Sequence, residues 1–154
     1  MVGTLFRKRF RIISVATTVR RELVNNKILV VDDEQAVKNS LKKAFETAGQ
    51  SVVCADSAEE ALEILKRENI QVMFLDLNLP SMSGIELCKK VRNDRPFAAI
   101  HALTGYTSIF DLVDCKEAGF DDYFTKPVEL KTLLEATNNA FERLNRWKRQ
   151  WWGQ

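Results

Sequence analysis

The chain has 154 residues, 45% hydrophobic and 29% charged, which is enough apolar content for one domain with a proper core and too much for wholesale disorder. Its net charge of +2 conceals an asymmetry: residues 1–26 hold six Lys/Arg against one Glu, whereas residues 27–146 hold fifteen against twenty Asp/Glu. An acidic body argues against nucleic acid as its direct partner. Three separated cysteines with a single histidine exclude a structural zinc site, and no run reaches the roughly 20 apolar residues of a membrane span.

Residues 1–26 read as a flexible basic extension, with a translation start near Val24 as the other reading. Ile12–Val19, behind Arg7, Lys8, Arg9 and Arg11, imitates a targeting peptide only faintly. Cys54, Cys88 and Cys115 read as reduced, mostly buried thiols of a cytoplasmic protein. From Lys27 onward strands and helices alternate. Ile28–Val31 is a β-branched run ending in Asp32-Asp33. Gln35–Ala48 has helical spacing, with Val37, Leu41, Ala44, Phe45 and Ala48 on one face and Gly49 as its stop. Ser51–Ala55 is a second strand, and Ser57 followed by Glu60 predicts a capping box opening a second helix. Val72–Leu75 is a third strand ending at Asp76, after which Leu79-Pro80 and Ser83-Gly84 mark a loop and Ile85–Val91 begins a third helix. Ala99–Leu103 is a fourth strand ending at Thr104-Gly105, and Ser108–Ala118 is a fourth helix stopped by Gly119. Asp122–Thr125 is a fifth strand ending at Lys126-Pro127, and a fifth helix starts at Leu130.

Short, regular strand spacing requires helical crossovers, hence a parallel sheet covered on both faces. The expected fold is α/β, a doubly wound sheet of continuously apolar strands. Such sheets bind ligands beyond the carboxyl ends of their strands. Asp32, Asp33, Asp76, Thr104 and Lys126 all fall at those ends, on one rim.

Neighbouring strands lie about 4.8 Å apart, so if the first and third pair, three carboxylates converge. Charges that close repel unless a cation neutralises them, and a hard divalent cation such as Mg²⁺ suits oxygen ligands and an arriving phosphate. Lys126 adds a cation, expected on a solvent-facing rim, and Thr104 adds a hydroxyl, both suited to the oxygens of a transferring phosphoryl group. A carboxylate there can serve as nucleophile. Taken singly, Asp32-Asp33 could be a solvated helix start, Thr104 a strand-end turn residue and Tyr123 a packing aromatic. Their shared rim favours the joint reading. His101 reads as a packing or partner-face histidine.

The strings KILVVDDE, FLDLNLPSMSG, ALTG and DDYFTKP resemble the response-regulator receiver family of two-component signalling over residues 27–146, leaving 147–154 as a Trp-rich basic tail. The resemblance implies a flavodoxin-like strand order 2-1-3-4-5. It implies Asp76 as phosphoacceptor, Asp33 as a direct Mg²⁺ ligand, Asp32 acting through water, and the Asn78 carbonyl as a further ligand. It implies that Lys126 pairs with the acidic cluster, that Thr104 and Tyr123 switch, that Tyr106 shields the acyl phosphate, and that Lys126–Pro127 is cis. The implied function is a cytoplasmic signalling domain, not a dedicated enzyme, which assists its own phosphorylation and dephosphorylation. Its implied partners are a histidine kinase or phosphotransfer protein and an output partner, with homodimerisation possible. It would be a stand-alone receiver or part of a longer regulator or hybrid kinase.

Three rivals fit less well. A flavin or nucleotide carrier needs a phosphate-cradling loop after the first strand, where this chain has two aspartates. A Mg²⁺-dependent aspartyl phosphatase places its nucleophile after the first strand and carries cap insertions. A receiver that works without phosphate would not need so complete a rim. In the final stretch, LNRWKRQWW, Trp147 and Trp151 fall near the apolar stripe of Leu134, Phe141 and Leu144. A partner or dimer contact is the favoured reading there, ahead of packing on the domain itself and of a membrane surface.

Overall fold

The computed structural model describes residues 26–105 and 109–152, with backbone only for Ile109, Phe110, Trp151 and Trp152. The expectations for residues 1–25, for Ser108 as a helix start, for Tyr106 and for the Trp151 side chain lie outside the described residues.

Strands β1 (Lys27–Val31), β2 (Ser51–Ala55), β3 (Val72–Asp76), β4 (Ala99–Thr104) and β5 (Asp122–Thr125) alternate with helices α1 (Gln35–Thr47), α2 (Ala58–Arg67), α3 (Gly84–Asp94), α4 (Ile109–Ala118) and α5 (Leu130–Trp152). The strands form one parallel sheet in the order β2-β1-β3-β4-β5. Alternation along each strand divides the core. Leu29, Val31, Met73 and Leu75 face α2, α3 and α4, whereas Ile28, Val30, Val72 and Phe74 face Leu41 and Phe45 of α1 and Leu133, Ala140 and Leu144 of α5. This is the doubly wound, flavodoxin-like architecture.

Burial corrects the sequence reading in places. β3 and β4 are buried throughout, and β1 is buried from Ile28 onward, but β2 and β5 are edges with exposed positions, because each has a neighbour on one side only. On α1, Lys38 is buried in place of Ala48, and its ammonium pairs with Asp56 beyond β2. The Ser57 hydroxyl does accept the Glu60 N–H at 3.2 Å, but the Glu60 carboxylate reaches back to the Asp56 N–H, not to that of Ser57. A complete reciprocal box stands instead at Ser83 and Glu86, on α3. Gly49 ends α1 at φ +84°, where the Gln50 N–H returns to the Phe45 carbonyl at 3.0 Å.

Candidate functional site

The carboxyl ends of β1 and β3 lie side by side, Val31 being the register partner of Leu75, so Asp32 and Asp76 follow one another across the sheet. Asp32, Asp33 and Asp76 each offer an oxygen to a cluster whose atoms all lie within 4.8 Å of one another. Asp32 is fully buried, Asp76 nearly so, and Asp33 exposed. Local bonds set their directions. The Glu34 N–H donates to Asp32 Oδ1 at 2.9 Å, and the Asn78 N–H donates to Asp76 Oδ1 at 3.1 Å.

Lys126 follows β5, and its N–H donates to the Thr104 carbonyl at 2.7 Å. Its ammonium lies 2.7 Å from Asp32 Oδ2, 3.5 Å from Asp76 Oδ2 and 3.8 Å from Glu34 Oε1. The side chain is 16% exposed, so it reaches into the pocket instead of standing on a solvent-facing rim; three acidic partners hold it there. The Lys126–Pro127 bond is cis.

Electrostatics follow from this crowding. Burial pushes the Asp76 carboxyl above its ordinary value, and the Asp32 charge adds to the rise, against the Asn78 N–H and the Lys126 ammonium. For Lys126 burial acts downward, but the Asp32 hydrogen bond and the charges of Asp76, Asp32 and Glu34 outweigh it and hold the ammonium above the usual lysine value. One ammonium against three clustered carboxylates leaves the pocket anionic. An all-oxygen, anionic donor set with one exposed member fits Mg²⁺, which keeps several waters and takes few protein ligands.

Thr104 is buried at the end of β4, in register with Thr125, while Tyr123 on the edge strand is 42% exposed and in register with Ala102. His101 is buried among aromatic rings, its own 4.7 Å from that of Phe74, with Nδ1 3.3 Å from the Met73 carbonyl. It is therefore a packing residue.

Two features went unread in the sequence. Gly84, taken there for a loop residue, is the first residue of α3. A Cβ at that position would overlap the Asp76 carbonyl oxygen and stand 2.9 Å from both the Asp76 carbonyl carbon and Leu77 Cα. Only glycine lets α3 start this close to the backbone carrying Asp76, and the Gly84 N–H donates to the Leu77 carbonyl at 3.1 Å. The other is the α3 cap, whose S-x-x-E spacing was legible.

The sequence model described as "Response regulator receiver domain" matches residues 28–138. The chain is 41% identical over 104 residues to the alkaline phosphatase synthesis transcriptional regulatory protein PhoP of Bacillus subtilis (strain 168), which covers 68% of this chain and 43% of that protein. It is 37% identical over 108 residues to response regulator MprA of Mycobacterium leprae (strain TN), covering 70% of this chain and 47% of the relative. The chain thus spans under half the length of these curated relatives. Among solved structures, a CheY-like response regulator receiver domain protein from Methanospirillum hungatei JF-1 superposes with a TM-score of 0.75 at 34% identity, over 79% of this chain and 97% of the other. With the sheet order and the acidic rim already described, these matches establish that the chain belongs to the response regulator receiver domain family of two-component systems.

Proposed function

We propose that residues 27–146 form a receiver that takes a phosphoryl group onto Asp76 from a histidine kinase, a phosphotransfer protein or a small phosphodonor. The observation that carries this reading is the convergence of Asp32, Asp33, Asp76 and Lys126 in one partly open pocket. An Asp76 carboxylate oxygen attacks phosphorus, the bond from phosphorus to the donor's nitrogen or oxygen breaks, and the donor leaves with that electron pair. The product is an acyl phosphate on Asp76. Lys126 neutralises charge on the phosphoryl oxygens as it leaves its place beside Asp76. Asp33 and Asp76, with the Asn78 carbonyl, would hold Mg²⁺ directly and Asp32 would hold it through water. The ion supplies positive charge that offsets carboxylate repulsion and favours the ionised nucleophile.

In this reading phosphorylation draws the Thr104 hydroxyl toward the phosphoryl group, and Tyr123, half-exposed at the edge, turns into the space behind it. The face of α4, β5 and α5 then has two packings between which a partner discriminates. The whole protein's output is a separate matter that this face would serve. Intact-mass spectrometry after acetyl phosphate treatment tests the acceptor: wild type should gain one phosphate and Asp76→Asn none. A mutant labelled as fully as wild type would move the acceptor elsewhere. Beryllofluoride tests the switch, with amide shifts expected between residues 104 and 126 and on the adjacent α5 face, and little change on α2 and α3. Shifts spread evenly over the domain would refute the assigned face.

A further inference from the structure

The described chain begins and α5 ends at one pole of the fold. β1 begins at Lys27, at the amino ends of the strands, and the sequence before it holds six Lys/Arg against one Glu. α5 begins beside the carboxyl rim and runs the opposite way. Its 23 residues span about 34 Å, whereas a five-residue strand covers roughly 16 Å. The helix must overhang the sheet at the amino pole. Among its described side chains the last buried apolar one is Leu144. Beyond that, Trp147 is 44% exposed and leans on Phe97, 55% exposed and two residues ahead of β4, with ring centroids 5.3 Å apart. From Arg143 onward the helix carries Arg143, Arg146, Lys148 and Arg149 and no acid. Two nearby acids are already engaged, Asp121 with Arg92 and Arg143 and Glu68 with Lys27.

We propose that this pole, comprising Phe97, Trp147 and the cationic end of α5, docks on an anionic lipid surface. Sequence alone favours a partner or dimer contact for the tail; the exposed Phe97–Trp147 pair beside the cationic helix end changes the reading. Half-exposed aromatic rings flanked by cations suit the headgroup level of a bilayer, where the ring is buried and the charges meet lipid phosphates. The sequence ahead of β1 interleaves Leu5, Phe6, Phe10, Ile12 and Ile13 with Arg7, Lys8, Arg9 and Arg11, a composition of the same basic and apolar kind. No described helix is long and apolar enough to cross a membrane, so the contact is peripheral. Charge also orients the domain: an anionic surface attracts the amino pole and repels the carboxylate rim, leaving Asp76 toward bulk solvent.

All three tryptophans of the chain, at positions 147, 151 and 152, lie in this helix end, so their emission reports on it alone. The test mixes the full chain with phosphatidylcholine vesicles, with and without phosphatidylglycerol. Emission should shift to the blue and the protein should co-sediment with anionic vesicles only, and high salt should reverse both. Arg146→Glu with Arg149→Glu should weaken vesicle binding on the order of tenfold or more, with circular dichroism and acetyl phosphate labelling unchanged. If that pair misfolds, Arg146→Gln with Arg149→Gln should weaken binding in the same direction. The proposal is overturned by equal binding to neutral vesicles, by no binding to anionic ones, or by tighter binding to duplex DNA or poly-glutamate than to vesicles. A tryptophan shift that follows self-association without lipid overturns it as well.

Discussion

Gly84→Ala should be among the most damaging single-methyl additions in the protein. The new Cβ meets backbone on the strand end that carries Asp76, not a side chain able to rotate away. Overpacking of this kind costs about 1–3 kcal/mol, and three backbone atoms within reach argue for the upper end. Alanine's better helix propensity returns less than about 1 kcal/mol. The net loss is about 2 kcal/mol, or a fall in Tm of roughly 8 °C for a domain of this size. Because α3 can relieve the overlap only by pushing on Asp76 and Leu77, acetyl phosphate labelling should slow as well. Gly105→Ala is the control for stability, since a Cβ there meets nothing within 4 Å. Thermal denaturation of both variants, with labelling followed by intact mass for Gly84→Ala, decides the matter. Equal stability of the two variants together with wild-type labelling of Gly84→Ala would refute the close-approach argument.

Millimolar Mg²⁺ should raise the Tm, because a ligand that binds only the folded state stabilises by mass action; Asp33→Ala should abolish that response, and a Tm indifferent to Mg²⁺ in wild type would count against the metal site. Lys126→Met leaves buried Asp32 without its 2.7 Å ammonium and should cost about 3 kcal/mol by urea denaturation; labelling should proceed more slowly, and partner affinity should no longer respond to it. Ser83→Ala removes the hydroxyl that accepts the Glu86 N–H and should cost about 1 kcal/mol, read the same way. Burial lowers the His101 pKa, against the charges of Asp121 and Asp122 and the Met73 carbonyl. As pH falls below about 6.5 the unfolded chain takes up a proton that the folded ring refuses. Stability should therefore drop toward acid pH by at most about 1.4 kcal/mol per pH unit from this residue, and His101→Phe should flatten the slope. An unchanged slope would show that the ring is not held neutral.

Where the sequence carried periodic or positional signal, the fold was legible. Runs ending in Asp32, Asp76, Thr104 and Lys126 marked the strands and one polar rim, because parallel topology sends every strand's carboxyl end to the same side. What stayed illegible depended on three-dimensional neighbours. Lys38 reads as a solvated helix residue, yet it is buried against Asp56, a partner supplied by the far end of β2. Tyr123 sits on an edge that strand composition alone does not reveal. Gly84 reads as punctuation, and only the approach of α3 to Asp76 exposes its packing role. The depth of Lys126 likewise follows from three acids contributed by two other strand ends.

The central claim is that Asp76 carries the phosphoryl group as an acyl phosphate. Borohydride reduction of the acetyl phosphate-treated protein, followed by peptide mass mapping, addresses it at the level of the residue. Hydride reduces an aspartyl phosphate to homoserine and leaves free carboxylates and phosphorylated hydroxyls untouched. The account predicts homoserine at position 76 alone, dependent on Mg²⁺ and absent from untreated protein. Homoserine at position 32 or 33, or a stable phosphate on a serine or threonine with Asp76 unmodified, would contradict it.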